Sequence, residues 1–105
     1  MGDWVRVCAR DDVASGAARK VEVAGFAVAL VRIGDDFYAI GDTCSHEDYS
    51  LSEGDVLSEE REIECWKHGS TFSLDTGDPR VLPATVAVPT FAVRVDGDDV
   101  MVSAP

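Results

Sequence analysis

Apolar and polar residues alternate along most of this chain, in short runs broken by glycine and acid-rich turns. Residues 4–9 set the pattern. Val5, Val7 and Ala9 fall on one face and Trp4, Arg6 and Cys8 on the other, as a half-buried strand requires. Residues 19–23 and 26–33 are β-branched runs split by Ala24-Gly25, a hairpin signal. Gly34-Asp35-Asp36 marks the next turn, before a strand at 37–40. Short strands are expected at 63–65 and 71–74, with Asp75-Thr76-Gly77-Asp78-Pro79 ending the second. Near the C-terminus, runs at 91–95 and 100–103 flank Asp96-Gly97-Asp98-Asp99, where Asp-Gly between alternating runs predicts a hairpin. Between these strands, 11–18 reads as a loop with room for a helical turn. Residues 51–55 read as a turn bent at Gly54, and 59–62 as a solvated tip. Residues 81–85 are apolar but interrupted by Pro83, which makes them a rigid loop rather than a central strand. Helical periodicity, internal repeats and linkers are all missing from the sequence. The expectation is all-β: a meander of short antiparallel strands joined by tight turns.

Length and charge narrow the function. A chain of 105 residues makes one domain, 1–105, large enough to bury a core without a metal supplying all its stability. Its formal charge of −11 argues against nucleic acid and anionic membrane as partners, because both demand basic patches. It suits either docking on basic surfaces or solubility alone. The N-terminal Met1-Gly2-Asp3-Trp4 lacks a basic segment and an apolar core, and Arg6 breaks the myristoylation pattern. With no apolar run of membrane-spanning length, a cytoplasmic protein without a membrane partner is expected. The cysteine count is odd, which implies no disulfide framework and fits a reducing compartment. Cys8 is expected to pack beneath a neighbouring strand rather than to react.

The remaining two cysteines each precede one of the chain's two histidines, as Cys44-Ser45-His46 and Cys65-Trp66-Lys67-His68. Thiolate and imidazole are the ligands of borderline-soft metals. On a helix, residues two apart point to nearly opposite sides, so each pair belongs on a tight loop. Such a set could hold zinc, or a 2Fe–2S cluster with two thiolates on one iron and two imidazoles on the other. The repeated order, cysteine then histidine, suits a two-metal object with a thiolate end and an imidazole end. Gly69 permits positive φ, so the chain can turn closely around an inorganic group. The segment 47–64 between the pairs is strongly acidic, with Arg61 its only base. Glu47 and Asp48 lie beside the first pair, but nothing in the sequence builds a substrate pocket around them.

Taken together, Cys44-x-His46, Cys65-x-x-His68, the following Gly69-Ser70 and the proline loop at Pro83 resemble the Rieske iron–sulfur signature. The resemblance covers nearly the whole chain and is strongest to the small Rieske-type ferredoxins of ring-hydroxylating dioxygenase systems. It implies a base β-sandwich with a cluster-binding subdomain inserted at about 42–86, made of two ligand loops and a proline loop. One Rieske-type 2Fe–2S cluster would be held by Cys44 and Cys65 on the buried iron and by His46 and His68 on the outer iron. Pro83 would cover it, and Ser70 would donate its hydroxyl to a cluster sulfur. Trp66 would shield the cluster or meet a partner, with simple packing the plain alternative. Phe72 stands where high-potential relatives carry a tyrosine, and Asp48 and Lys67 stand where respiratory relatives carry extra cysteines. The implied potential is low, about −150 mV.

The implied role is that of a monomeric electron-transfer component, not an enzyme. It would take electrons from a flavoprotein ferredoxin reductase and pass them to a terminal oxygenase. The chain has no Gly-x-Gly-x-x-Gly and too few residues left over for a flavin or nicotinamide domain. Three alternatives remain: an electron donor for iron–sulfur cluster assembly, a small subunit of a nitrite reductase-like system, and a structural zinc domain.

Overall fold

Two-residue turns shape the first sheet. The structure is a computed structural model describing residues 4–43, 50–66, 69–80 and 86–103. Strand β2 (Ala17–Val23) folds back on β3 (Phe26–Ile33) through Ala24 and Gly25, both at positive φ (51° and 85°). Two consecutive positive φ values define the primed turn whose twist matches flanking strands. Strand β3 returns on β4 (Asp36–Gly41) through Gly34-Asp35, with Gly34 at φ 63°. Arg32 fixes this corner. Its guanidinium donates to the carbonyls of Gly34 (2.7 Å), Val13 (2.9 Å) and Arg10 (3.2 Å).

After β4 the chain forms a separate three-stranded sheet in the order β5 (Asp55–Leu57), β6 (Glu62–Glu64), β7 (Thr71–Ser73). It returns as β8 (Thr90–Phe91) on the edge of β4, completing the order β2-β3-β4-β8. It then crosses to β9 (Val93–Asp96) and β10 (Asp99–Ser103), which join β1 (Trp4–Ala9) in the order β1-β10-β9. All named pairings are antiparallel. Among the described residues the only helical turns are two 3-10 segments, Arg10–Asp12 and Leu51–Glu53. None is long and apolar enough to cross a membrane.

The four-stranded sheet is buried on both faces. Val28 and Leu30 point into a core with Cys8, Val21, Val23, Val100 and Val102, against the β1-β10-β9 sheet. Ala29 and Val31 point the other way, into a core with Leu51, Ile63, Cys65 and Phe72 under the β5-β6-β7 sheet. This two-sided burial explains why β3 reads as a continuous apolar run rather than an alternating one.

The all-β expectation holds, with local corrections. Cys8 shares its strict-alternation face with Trp4 and Arg6, yet it is buried while Trp4 is exposed. The register slips between Arg6, opposite Met101, and Cys8, opposite Val100. Val7 is the extra residue of a bulge, which turns Cys8 inward. Residues 51–55, read as a turn, instead form a 3-10 segment and the start of β5. Residues 91–95, read as one strand, divide between β8 and β9 and so between two sheets. The turn expected within 11–18 lies at Arg10–Asp12, and β2 begins at Ala17. The loop read at 81–85 lies outside the described residues.

Candidate metal centre

The second Cys/His motif sits at the tip of the β6–β7 hairpin. The last strand pair is Glu64 opposite Thr71. Beyond it the Cys65 N–H donates to the Ser70 carbonyl at 2.7 Å, and the Gly69 N–H donates to the Cys65 carbonyl at 3.0 Å. Closing so narrow a tip puts Gly69 at φ 76°. Among the described residues, chain neighbours aside, no atom lies within 4 Å of where a Cβ would sit there, and the positive φ by itself favours glycine. Cys65 and Ser70 are fully buried, whereas the adjacent Trp66 is 52% exposed. Within one residue the hairpin passes from core to surface. Lys67 and His68 lie outside the described residues.

The first motif is bracketed in the same way. An isolated antiparallel bridge joins Thr43 to Ser50, and the Leu51 N–H donates to the Asp42 carbonyl at 2.6 Å. The Asp42 carboxylate is buried and accepts from Ser50 Oγ (2.5 Å) and from the Ser52 N–H (2.9 Å). These bonds satisfy a carboxylate that would otherwise be costly to bury. Cys44 and His46 fall between the bracketing residues but outside the described ones. Nothing in the sequence marks Asp42 as this staple. Its partners are eight and ten residues away, beyond any local turn pattern.

The two brackets match. Thr43 directly precedes Cys44, and Glu64 directly precedes Cys65, so each cysteine is the first residue past the closing pair. A third segment is anchored beside them. Pro79 bridges to Phe72. The Arg80 N–H donates to the Thr71 carbonyl (2.7 Å), and the Val88 N–H to the Gly77 carbonyl (2.9 Å). Pro83 lies within this anchored segment but outside the described residues. Of the eight residues singled out from the sequence, Cys65, Trp66, Gly69 and Ser70 are placed, and all four belong to one hairpin tip.

The surroundings fit a cluster with one buried end. Cys65 is wholly inside an apolar core with Ile63, Leu51 and Phe72, while Trp66 beside it is exposed. Cysteine and histidine, the residue types paired in the two motifs, suit iron–sulfur ligation, and Cys65 is the one of the four that lies among the described residues. The outer face of the same sheet is acidic: Asp55 stands directly opposite Glu64, and Leu57 opposite Glu62. Every ion pair among the described residues involves other acids, namely Asp12, Asp35, Asp96 and Asp99.

Comparison with known proteins agrees with this geometry. The family described as Rieske [2Fe-2S] domain matches residues 3–92. The ferredoxin component of biphenyl 2,3-dioxygenase from Rhodococcus jostii (strain RHA1) is 38% identical over 97 residues, covering 92% of this chain and 89% of the relative. The ferredoxin of carbazole 1,9a-dioxygenase from Nocardioides aromaticivorans IC177 has a TM-score of 0.94 at 37% identity, covering 97% of this chain and 98% of its own. A complex of reduced oxygenase and oxidized ferredoxin in carbazole 1,9a-dioxygenase contains a chain 40% identical to this one, with a TM-score of 0.89, covering 98% of this chain and 94% of that one.

Proposed function

The chain belongs to the Rieske 2Fe–2S domain family, and on that premise we propose that it is a one-electron carrier serving a terminal ring-hydroxylating oxygenase. The observation that carries this reading is the pair of matching loop closures, each with a cysteine as the first residue beyond it. Likeness to a ferredoxin held in a complex with its oxygenase supports the choice of partner. The family implies a Rieske-type cluster; Cys44, His46, Cys65 and His68 are the proposed ligands. The proposed cluster-binding subdomain runs from about 42 to 86, inserted in the base sandwich.

When bound, the cluster supplies a site that gains and loses one electron. The protein's own residues determine how that site meets its partners. Cys65, packed against Phe72, Ile63 and Leu51, would hold the inner end away from water. His46 and His68 would hold the other end, and Trp66, two residues before His68, is exposed at the hairpin tip. Ser70, buried at the tip, is the proposed hydroxyl donor to a cluster sulfur. Phe72 is fully buried and has no hydroxyl to offer, which supports a low potential of about −150 mV.

A flavoprotein ferredoxin reductase is the proposed electron source. Two reduced carriers would leave for each NAD(P)H oxidised. The protein is proposed to act as a cytoplasmic monomer and to catalyse no reaction of its own. Reconstitution tests this directly. The purified protein is mixed with NADH, a dioxygenase-type flavoprotein reductase and a terminal oxygenase. Its visible spectrum is expected to bleach only when the reductase is present. Colour is expected to return when oxygenase, oxygen and an aromatic substrate are added. A protein that stays oxidised, or that no oxygenase reoxidises, contradicts the reading.

A further inference from the structure

Three glycines sit where the flanks of the three loop segments touch. Gly54 follows the first motif, and a Cβ there would fall far inside 3.0 Å of the Glu64 carbonyl oxygen, the residue immediately before Cys65; it would also lie 3.2 Å from the Leu51 carbonyl oxygen. The backbone at Gly54 has φ −85°, open to any residue, so close approach alone demands glycine. Gly77 follows the second motif, and a Cβ there would collide with the carbonyl of Val88, just past the proline segment. Gly41 precedes the first motif, and a Cβ there would lie 2.9 Å from Cδ and 3.0 Å from Cγ of the Pro89 ring. The Gly41 N–H also donates to the Pro89 carbonyl at 2.8 Å. First loop to second, second to proline segment, proline segment back to first: the three contacts close a ring.

We propose that Gly54 is a positioning residue that sets the spacing between the two ligand loops, and through it the geometry and retention of the cluster. The inference rests on the ligand assignment above. It acts through backbone. The contact holds the end of the first loop against the residue that presents Cys65. No hydrogen bond to side chains is involved, so a methyl group must push β5 away from β6. A cluster spanning both loops registers such a shift, whereas the base sandwich, built from other strands, does not. Gly41 and Gly77 hold the same ring at its other two contacts.

The test compares Gly54→Ala with Gly97→Ala in the cluster-loaded protein. Gly97 has φ 64° in the β9–β10 turn and nothing within 4 Å of its Cβ position, so alanine there strains the base without crowding anything. Both variants are expected to melt at lower temperature than wild type. Only Gly54→Ala is expected to alter the g anisotropy of the reduced cluster and to shed it to a chelator about 10- to 100-fold faster, the range for losing outer-shell support. Identical spectra and retention in the two variants overturn the proposal. If Gly54→Ala does not fold, Gly41→Ala and its combination with Pro89→Ala carry the test. The single variant is expected to change the spectrum, and the double, which removes the crowding ring atoms, to restore it. A double variant no better than the single overturns the proposal. A wild-type protein lacking the Rieske spectrum overturns the ligand assignment and this inference together. A normal wild-type spectrum left unchanged by Gly54→Ala overturns this inference alone.

Discussion

Cys8 shows what one thiol contributes when its strand slips by a residue. The bulge at Val7 turns it into the core beside Val21, Val100 and Val102. Burial raises its pKa above the ordinary thiol value; Asp12 adds to the rise, and Arg19 and Arg6 oppose it. In the unfolded chain the thiol ionises at its ordinary value, while in the folded protein it keeps its proton. Its contribution to stability is therefore fully present below the unfolded pKa and is lost as pH rises through the folded one. Urea midpoints measured at neutral pH and above pH 9.0 are expected to fall more for wild type than for Cys8→Ala. Equal falls would mean that Cys8 does not contribute to the pH dependence of stability. Burial of this thiol was legible in the sequence, since a lone small residue in a strand usually packs. Asp42 was not, because its role exists only once Ser50 and Ser52 come back to it.

Turns and short strands divide the elements by legibility. Ala24-Gly25 and the acidic glycine turns announced their hairpins because φ > 0 chemistry is local. Even so, Ala24 is not the best residue for its place. At φ 51° its Cβ crowds the following carbonyl, a strain of about 1–2 kcal/mol that asparagine tolerates better. Ala24→Asn is expected to stabilise the protein by about 0.5–1 kcal/mol and raise the melting temperature by a few degrees, near the ~4–8 °C per kcal/mol typical of such domains. A lower melting temperature would mean the turn is held by something other than its own dihedrals. Strand β5, by contrast, could not be read from residues 55–57. It is too short to show a period, and its identity comes from pairing Val56 with Ile63. The split between β8 and β9 is likewise tertiary: Phe91 meets Ala39 while Val93 meets Val102.

At the scale of the molecule, three sheets form two cores, with β3 shared between them. The base carries every ion pair found among the described residues, whereas the outer face of the β5-β6-β7 sheet carries Asp55, Glu62 and Glu64, which form none among those residues. Like charges placed opposite one another cost stability. A basic partner surface would relieve that cost. Association with such a partner is expected to slow by about tenfold or more as ionic strength rises from about 0.01 M to about 0.15 M. Stopped-flow mixing with the reductase reads this. A rate indifferent to salt would leave the net charge as a solubility device only. Overall charge and class were legible in composition; which acids lack partners depends on how the sheets place the arginines.

The proposed ligands of the 2Fe–2S cluster are two thiolates, Cys44 and Cys65, and two imidazoles, His46 and His68. Low-temperature EPR of the anaerobically reduced protein decides whether they hold it. The expected result is a rhombic signal with average g below the free-electron value, from a red-brown protein, abolished by His46→Ala or His68→Ala while much of the base sandwich stays folded. A colourless protein that contains zinc and gives no signal on reduction would rule the cluster out.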